Sequence, residues 1–560
     1  MVKNWTIKTS HPENQAQLSD TLNIHPIIAQ LLINRGIEDP KEAQSFLSSD
    51  LSQLSDPFQL KDMDRAVERV KKAQRLNERV LIYGDYDVDG VTSSALLRRV
   101  LHSMGVICEN YIPHRMDEGY GLNEGIVEFI QQSNVQLVIT VDCGISAFGP
   151  IKALNAAGVD TIIIDHHQPD LDCLPEAFAV INPKRSDCTY PHKNLAAVGL
   201  VAKFTQGLLG YFPQEDLDLV AIGTIADVVE LTGENRIFVR HGLPLIEKSD
   251  KHGLNALLDV AKIRGKKMKP YYIGFILGPR INAAGRMDSA RLALDLLLSD
   301  NYEEAAALAK TLEVHNQERQ RMQSSVVDEA IDMIENEIAI KDKRIIVVHK
   351  EGWHKGVLGI VASRIVEKYY RPAFVISVKD GVGIGSARSV EGFHLFDALT
   401  NCSAILENFG GHKRAAGLKV RYENIEAFKN SMNDFAKANL STDTLIPVLD
   451  IDCEISLSEI NMELVNAVNL FEPYGEGNPI PIFCSRNLQV KSTPVVMSRD
   501  TIKFWVFDGQ STISVVGFGM GSFKDQIRQG TRLDLAYILS IDDWNKEAVV
   551  QLQLKDIKVN

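Results

Sequence analysis

Between residues 80 and 240 the chain alternates short, β-branched apolar runs with longer amphipathic stretches. The runs are RVLIYG (79–84), VQLVITVD (135–142), TIIID (161–165) and AFAVI (177–181). None shows the in–out alternation of a half-solvated strand, so each reads as a strand buried on both faces. With helical stretches between them, they predict a parallel sheet with crossover helices. Residues 1–75 read as mostly helical. From 302 to 340, apolar or long side chains recur at Ala305, Leu308, Leu312, His315, Arg319, Met322, Val326, Ala330 and Met333, without Gly or Pro. That three- and four-residue spacing predicts one long helix joining two domains. A second α/β pattern begins at 343, with RIIVVH (344–349), a helix over 357–370 and AFVIS (373–377). Residues 445–558 alternate in strand fashion, as in TIKFWVF (501–507), STISVVGF (511–518) and AVVQLQL (548–554). Short, evenly spaced strands predict a small closed β-barrel. The expected division is a helical segment (1–75), a parallel-sheet domain (76–300), a connecting helix (301–342), a smaller α/β domain (343–444) and the barrel (445–560).

Composition changes this picture little. A length of 560 residues fits three or four domains, and 45% hydrophobic with 24% charged residues is ordinary for a soluble globular protein. Cys108, Cys143, Cys173, Cys188, Cys402, Cys453 and Cys484 form no C-x-x-C pair. That speaks against a zinc ribbon or a disulfide framework and fits a reducing compartment. The start, MVKNWTIKTSHPENQ, lacks the apolar region of a secretory signal, and no apolar run is long enough to span a bilayer. A cytoplasmic location and a monomer are expected. The net charge of −13 is unlike that of most DNA binders. However, a cluster of metal-binding carboxylates adds negative charge that cations then neutralise. KIRGKKMK (262–269) carries five basic residues in eight, which as an isolated run reads first as a solvated loop.

Charge placement is more informative than charge balance. The first strand runs into Gly84-Asp85-Tyr86-Asp87-Val88-Asp89-Gly90. Three aspartates at alternate positions after a buried strand are costly unless they bind something, and ligands of open α/β sheets sit beyond the carboxyl ends of strands. An EF-hand loop would need Glu at the twelfth position, where this chain has Leu96. Two more runs end alike, in Asp142-Cys143-Gly144 and in Asp165-His166-His167, and Asp227 closes the apolar run DLVAIGTIAD. Any one of these residues alone reads as readily as structural. Together they suit a metal centre, and hard carboxylates with an imidazole favour Mn²⁺ or Mg²⁺ over zinc. So many acids also permit two bridged metals, the arrangement of phosphoryl chemistry.

GDYDVDG, VDCG, DHH and GTIAD resemble, in order, the four motifs of the DHH phosphoesterases. The resemblance implies two divalent metal ions, Asp85 and Asp87 serving one, Asp89, His166 and Asp227 the other, with Asp142 bridging. Some relatives use a histidine upstream in place of Asp85, where this chain has Tyr83. His167 would face the scissile phosphate, and Asp165 would orient a ring nitrogen. A water between the metals would attack phosphorus in line. Gly385-Ser386-Ala387-Arg388-Ser389 and Gly410-Gly411-His412-Lys413-Arg414-Ala415-Ala416-Gly417 resemble the domain associated with DHH proteins. It implies that His354, Arg364, Ser386, Arg388 and His412 hold the phosphates and sugar of a terminal nucleotide. GPRINAAGRM (278–287) and PYGEGNP (473–479) resemble the single-strand-specific DNA exonuclease branch rather than the small DHH enzymes. In that branch Arg280 would contact substrate and the barrel would be an OB-fold, with Phe504, Trp505, Phe507 and Trp544 as candidate stacking residues, most of which read equally as core. The expectation is two α/β domains joined by a long helix, with the active site in a narrow positive cleft between them. The implied activity is 5′→3′ removal of 5′-mononucleotides from single-stranded DNA in recombination and repair. Implied partners are a single-strand-binding protein and a RecQ-type helicase. Two rival readings remain: a DHH enzyme acting on short oligonucleotides, cyclic dinucleotides or pyrophosphate, and a non-catalytic scaffold. Length and barrel weigh against the first, and the complete metal set against the second.

Overall fold

The structure is a computed structural model that describes residues 3–114, 121–123, 125–170, 173–287, 289–337, 343–542 and 548–559. The chain forms two compact units, one of Ile7–Glu313 with Asp450–Asn560, the other of Met1–Thr6 with Val314–Leu449. Among the described residues no helix is long and apolar enough to cross a membrane.

The larger unit is built on a parallel sheet of β1 (Val80–Gly84), β2 (Cys108–Tyr111), β3 (Leu137–Val141), β4 (Asp160–Ile164) and β5 (Ala179–Ile181). The order is β2-β1-β3-β4-β5, every neighbour parallel. The missing alternation in the sequence now has its cause. Val80, Ile82, Ile139 and Ile162 enter one core, while Leu81, Tyr83, Val138 and Ile163 enter another on the opposite face. The first core is closed by α1 (Val88–Ser103), α2 (Ala197–Leu209), α3 (Leu217–Ala226) and α4 (Gly233–Glu247), the second by shorter helices over Gly125–Gln132 and Phe148–Ala156. Four strands fall where the apolar runs place them. The edge strand β2, CENY, has only its first residue buried, and so lacks the apolar run that marks the others.

After these come α5 (Gly278–Met287) and the long α6 (Tyr302–Glu337). Ala305, Ala309 and Leu312 of α6 are buried in the core of the larger unit, Val326, Ala330 and Ile334 in that of the smaller. The smaller unit carries β6 (Ile346–Glu351), α7 (Leu358–Tyr369), β7 (Ala373–Lys379), β8 (Val382–Arg388), β9 (Leu406–Gly411) and β10 (Ala415–Arg421). Its sheet runs β9-β10-β8-β7-β6, parallel only between β6 and β7.

The C-terminal strands β11 (Phe483–Val490), β12 (Thr501–Phe507), β13 (Thr512–Gly517), β14 (Arg532–Asp542) and β15 (Val549–Val559) pair in the ring β11-β14-β15-β13-β12-β11. This is the closed barrel the alternating pattern predicts. Helices Pro12–Leu22, Pro26–Ile33 and Pro40–Ser48 share its core, through Leu18, Ile28, Leu31 and Ala43.

Candidate active site

The strand-end residues converge at the carboxyl edge of the parallel sheet. After β1 the chain turns so tightly that a Cβ on Gly90 would lie 2.4 Å from the Asp85 carbonyl oxygen. Asp87 caps α1, its Oδ1 accepting from Asp89 N at 2.9 Å and Gly90 N at 3.1 Å. Asp89, buried in the first turn of α1, caps a second helix. Its two oxygens accept from Ala197 N at 2.7 Å and Val198 N at 2.8 Å, where α2 has no capping side chain of its own. A Cβ on Gly223 would meet Thr92 Oγ1 at 2.4 Å and Asp89 Oδ1 at 3.1 Å, which is why the GTIAD segment opens with glycine. That close packing of α3 on α1 delivers Asp227, the residue ending α3, to the site. After β3, Asp142 adopts a left-handed φ of 63°, which Asp tolerates better than most residues.

Three groups of donors result: Asp85, Asp87 and Asp142; Asp89, His166 and Asp227; and Asp142, His166 and His167. Within each group the candidate ligand atoms lie within 4.8 Å of one another. His166 Nε2 is 3.3 Å from Asp142 Oδ1 and 3.5 Å from Asp227 Oδ2. Carboxylate oxygens and an imidazole nitrogen converge here, as ligands around a cation do. Burial, then the charges of Asp87, Asp89, Asp227 and Asp85, pushes the Asp142 carboxyl well above its ordinary range. Burial and Asp87 raise Asp89 to about 7, and burial with Asp89 and Asp87 raises Asp227 to about 9. Burial holds His166 down to about 3, which keeps the ring neutral and able to ligate. Clustered, desolvated carboxylates with one neutral imidazole fit hard divalent cations, Mn²⁺ or Mg²⁺.

Asp165 and His167 stand beside this cluster. Asp165 is fully buried, and its oxygens accept from Ile145 N at 3.0 Å, His167 N at 3.0 Å and His167 Nδ1 at 2.7 Å. Burial would raise its carboxyl, but the hydrogen bonds and charge of His167 hold it below the usual range. Burial likewise works against protonation of His167, and Asp165 overcomes it, so His167 titrates above its ordinary value. The His167 side chain is 46% exposed.

Two further residues were not assigned from sequence. Asn182, fully buried just past β5, donates from Nδ2 to the His167 carbonyl at 2.9 Å and accepts from Lys184 N at 2.8 Å. Burial lowers the Lys184 pKa, and the charges of Asp227 and Asp165 oppose that shift. Their signal was Asn-Pro-Lys-Arg after the apolar run AFAVI, one more polar strand end.

Arg280 lies on α5, which runs along both halves of the cluster. A Cβ on Gly278 would sit 3.5 Å from Ala226 Cβ, and one on Gly285 3.1 Å from the Tyr86 carbonyl oxygen. The Arg280 guanidinium is anchored by Glu313 Oε2 at 2.6 Å and the Ile276 carbonyl at 2.7 Å.

In the smaller unit, a Cβ on Gly359 at the start of α7 would fall 2.9 Å from Arg388 Nη2 and 3.2 Å from Ser386 Oγ. A helix N-terminus, a hydroxyl and a guanidinium therefore meet at one point, the chemistry of an anion site. Among the described residues no carboxylate forms an ion pair with Arg388, whose pKa burial lowers. His354 Nδ1 caps the short turn before α7, accepting from Gly356 N at 3.2 Å. The register Arg388↔Ala415 brings the β9–β10 turn, with exposed His412, to the same end of β8. Arg364, farther along α7, is exposed and ion-paired with Glu367 at 3.0 Å.

Of the candidate stacking residues, Phe504 is 1% exposed and belongs to the barrel core, the other reading open to these aromatics. Trp505 is 43% exposed, and Phe507 lies under Lys491 Nζ, 4.1 Å from its ring centroid. Trp544 lies outside the described residues.

Comparison with known proteins agrees with this geometry. Residues 79–224 match the DHH family, N-terminal domain; residues 342–438 match the DHHA1 domain; and residues 451–556 match the RecJ OB domain. The chain is 38% identical over 559 residues to the single-stranded-DNA-specific exonuclease RecJ of Bacillus subtilis, covering 99% of this chain and 71% of that protein. With the Escherichia coli protein of the same name, identity is 34% over 558 residues, covering 95% and 96%. The crystal structure of RecJ in complex with Mn²⁺ from Thermus thermophilus superposes with a TM-score of 0.85 at 28% identity, covering 99% of this chain and 79% of that one. Motifs and fold agree with these relatives, and the chain belongs to the RecJ family of single-stranded-DNA-specific exonucleases, within the DHH phosphoesterases.

Proposed function

We propose that the protein removes mononucleotides from the 5′ end of single-stranded DNA, with the roles set out below. The observation that carries the reading is the pair of donor triads joined by Asp142 and His166. Asp85 and Asp87 would hold one divalent cation and Asp89, His166 and Asp227 the other, with Asp142 standing beside Asp85 and Asp87 and also beside His166. When bound, the two cations make a water nucleophilic at neutral pH and offset charge on the attacking and leaving oxygens. His167, oriented by Asp165 through its Nδ1, faces an oxygen of the scissile phosphate. Asn182 fixes the backbone of His167, and Arg280 on α5 contacts the substrate strand. Arg388, Ser386 and the α7 N-terminus, with His354, His412 and Arg364 around them, take the terminal phosphate and sugar.

Two exposed surfaces of the larger unit suit a flexible single strand, which binds through phosphates and base faces. Trp505 and the Lys491–Phe507 pair mark one, on the barrel. The other follows the basic run: Lys266, Lys267 and Lys269 are exposed, and Tyr271 stacks on Phe275 at 5.1 Å just before α5. Here the run serves as more than a solvated loop. The activity belongs to recombination and repair, beside a single-strand-binding protein and a RecQ-type helicase.

The test is a long single strand labelled at either end, incubated with Mn²⁺ beside the matching blunt duplex. Immediate release of the 5′ label from the single strand alone is expected. Release of the 3′ label first would overturn the polarity. His167→Ala is expected to lower kcat by about 10²–10⁴-fold while Mn²⁺ affinity stays within about threefold. If calorimetry showed Mn²⁺ binding lost as well, His167 would be a metal ligand rather than the phosphate-facing group.

A further inference from the structure

Resting on the metal reading above, one segment with no donor in the cluster bears on it. Asp227 ends α3, and the chain reverses through Val228–Thr232 into α4. Val228 stands at φ 61° and is 66% exposed. A β-branched side chain disfavours that left-handed backbone, and so exposed a side chain gains little packing in return.

The reversal is gripped from outside by PYGEGNP (473–479). Leu231 N donates to the Glu476 carbonyl at 2.8 Å. Gly475 approaches so closely that a Cβ there would lie 2.6 Å from Leu231 Cδ1, and one on Gly477 would lie 3.1 Å from Glu230 Cβ. The gripping turn is itself braced. Gly475 and Asn478 exchange backbone hydrogen bonds at 3.0 and 3.2 Å. The buried Asn478 side chain donates to the carbonyls of Phe471 and Pro473 at 2.8 and 2.9 Å and accepts from Arg35 Nε at 2.8 Å.

We propose that this turn is a positioning device for Asp227: it holds Val228 in an unfavourable backbone conformation and so fixes where the metal-binding carboxylate sits. Released, residues 228–232 relax toward ordinary φ values and carry Asp227 off its partners. Glycine at 228 pays no such penalty, so it makes the grip dispensable. The segment that joins the barrel to the sheet domain is thereby part of the metal centre, through backbone geometry.

The test measures Mn²⁺ affinity by isothermal titration calorimetry on the full-length chain, with thermal unfolding of the metal-free protein alongside. Asn478→Ala loosens the turn, and Gly475→Ala pushes on Leu231. Each is expected to weaken Mn²⁺ binding about 10–100-fold, as loss of groups that support ligands does. Adding Val228→Gly to either variant is expected to restore affinity to within about threefold of wild type. A lowered unfolding temperature with unchanged Mn²⁺ affinity would make the turn merely structural and overturn the proposal, and so would failure of Val228→Gly to rescue. Unchanged Mn²⁺ binding in Asp142→Ala would instead overturn the metal centre itself, which separates the two readings.

Discussion

An Asp142→Asn variant is expected to lose nuclease activity by about 10³-fold or more, yet to unfold at a higher temperature than wild type when divalent cations are absent. Loss of activity follows from its place in two of the three donor groups. The gain in stability follows from linkage. The Asp142 carboxyl is 2% exposed and titrates well above the ordinary carboxylate range. Asp89 is raised to about 7 and Asp227 to about 9. For each, the folded state holds the proton more tightly than the unfolded chain. Stability of the metal-free protein is therefore greatest near pH 4 for these groups and falls as pH rises through 7 and 9. A cation that binds only the folded state reverses the loss by mass action. Asparagine at 142 removes one mutually repelling charge. Thermal unfolding between pH 6 and pH 9, with and without Mn²⁺, is the measurement. Wild type should show a downward slope that Mn²⁺ abolishes; the variant should show a shallower slope, a higher metal-free Tm and little Mn²⁺ shift. A variant that melts no higher and keeps its Mn²⁺ shift would contradict the placement of Asp142 at the shared position.

Much of this was legible in the order of residue types, for identifiable reasons. Runs such as VQLVITVD are apolar at every position because successive side chains enter different cores on the two sheet faces. A fully buried strand has no other pattern available. Sheet geometry then carries the acids at strand ends to one edge. Less legible was what each acid does besides. Asp87 and Asp89 read from sequence as ligands, and the structure makes both of them caps as well, of α1 and of α2, within the donor cluster. Capping does not exhaust a carboxylate, which has lone pairs left for a cation. Spacing along the chain could not expose the Asp89 bond, because its partners lie 108 and 109 residues away. The same limit hid the packing of Leu18 and Ile28 against the barrel, since periodicity marks a buried face but not what covers it. It hid the inward turn of Phe504 as well, in a strand where Trp505, its neighbour, faces out.

Arg236 extends that lesson to stability, and replacing it with Met is expected to cost on the order of 3–5 kcal/mol. In GENRIFVRHG it reads as an ordinary charged residue on a helix, yet it is 1% exposed. Its guanidinium donates to the carbonyls of Phe46, Leu470, Phe471, Glu472 and Pro473 at 3.1, 2.9, 2.7, 3.0 and 3.4 Å. It also donates to Ser49 Oγ at 2.9 Å and lies 4.1 Å from the centroid of the Phe46 ring. Among the described residues no carboxylate forms an ion pair with it. Burial, with the nearby charge of Arg240, depresses its pKa to about 9. Carbonyl dipoles hold a desolvated cation here, joining α4, the 46–49 segment and the strip before the barrel. Methionine fills similar volume but withdraws a donor from five carbonyls; Phe471 and Pro473 keep Asn478 Nδ2 and Phe46 keeps Ser49 Oγ, so those of Leu470 and Glu472 carry most of the cost, at about 1–3 kcal/mol for each that water cannot reach. Relief of the buried charge offsets part of that sum, which sets the net figure. Arg236→Lys keeps the charge, but three donors on one nitrogen cannot span the fork, so its loss should be intermediate. Urea unfolding of the three proteins tests the order wild type, Lys, Met. Limited proteolysis should find the 470–480 segment opened first in the Met variant. Since the same strip carries the turn that grips the Asp227 loop, Mn²⁺ affinity should fall in that order too. A Met variant with the wild-type urea midpoint would show that the barrel is held to the sheet domain by packing alone.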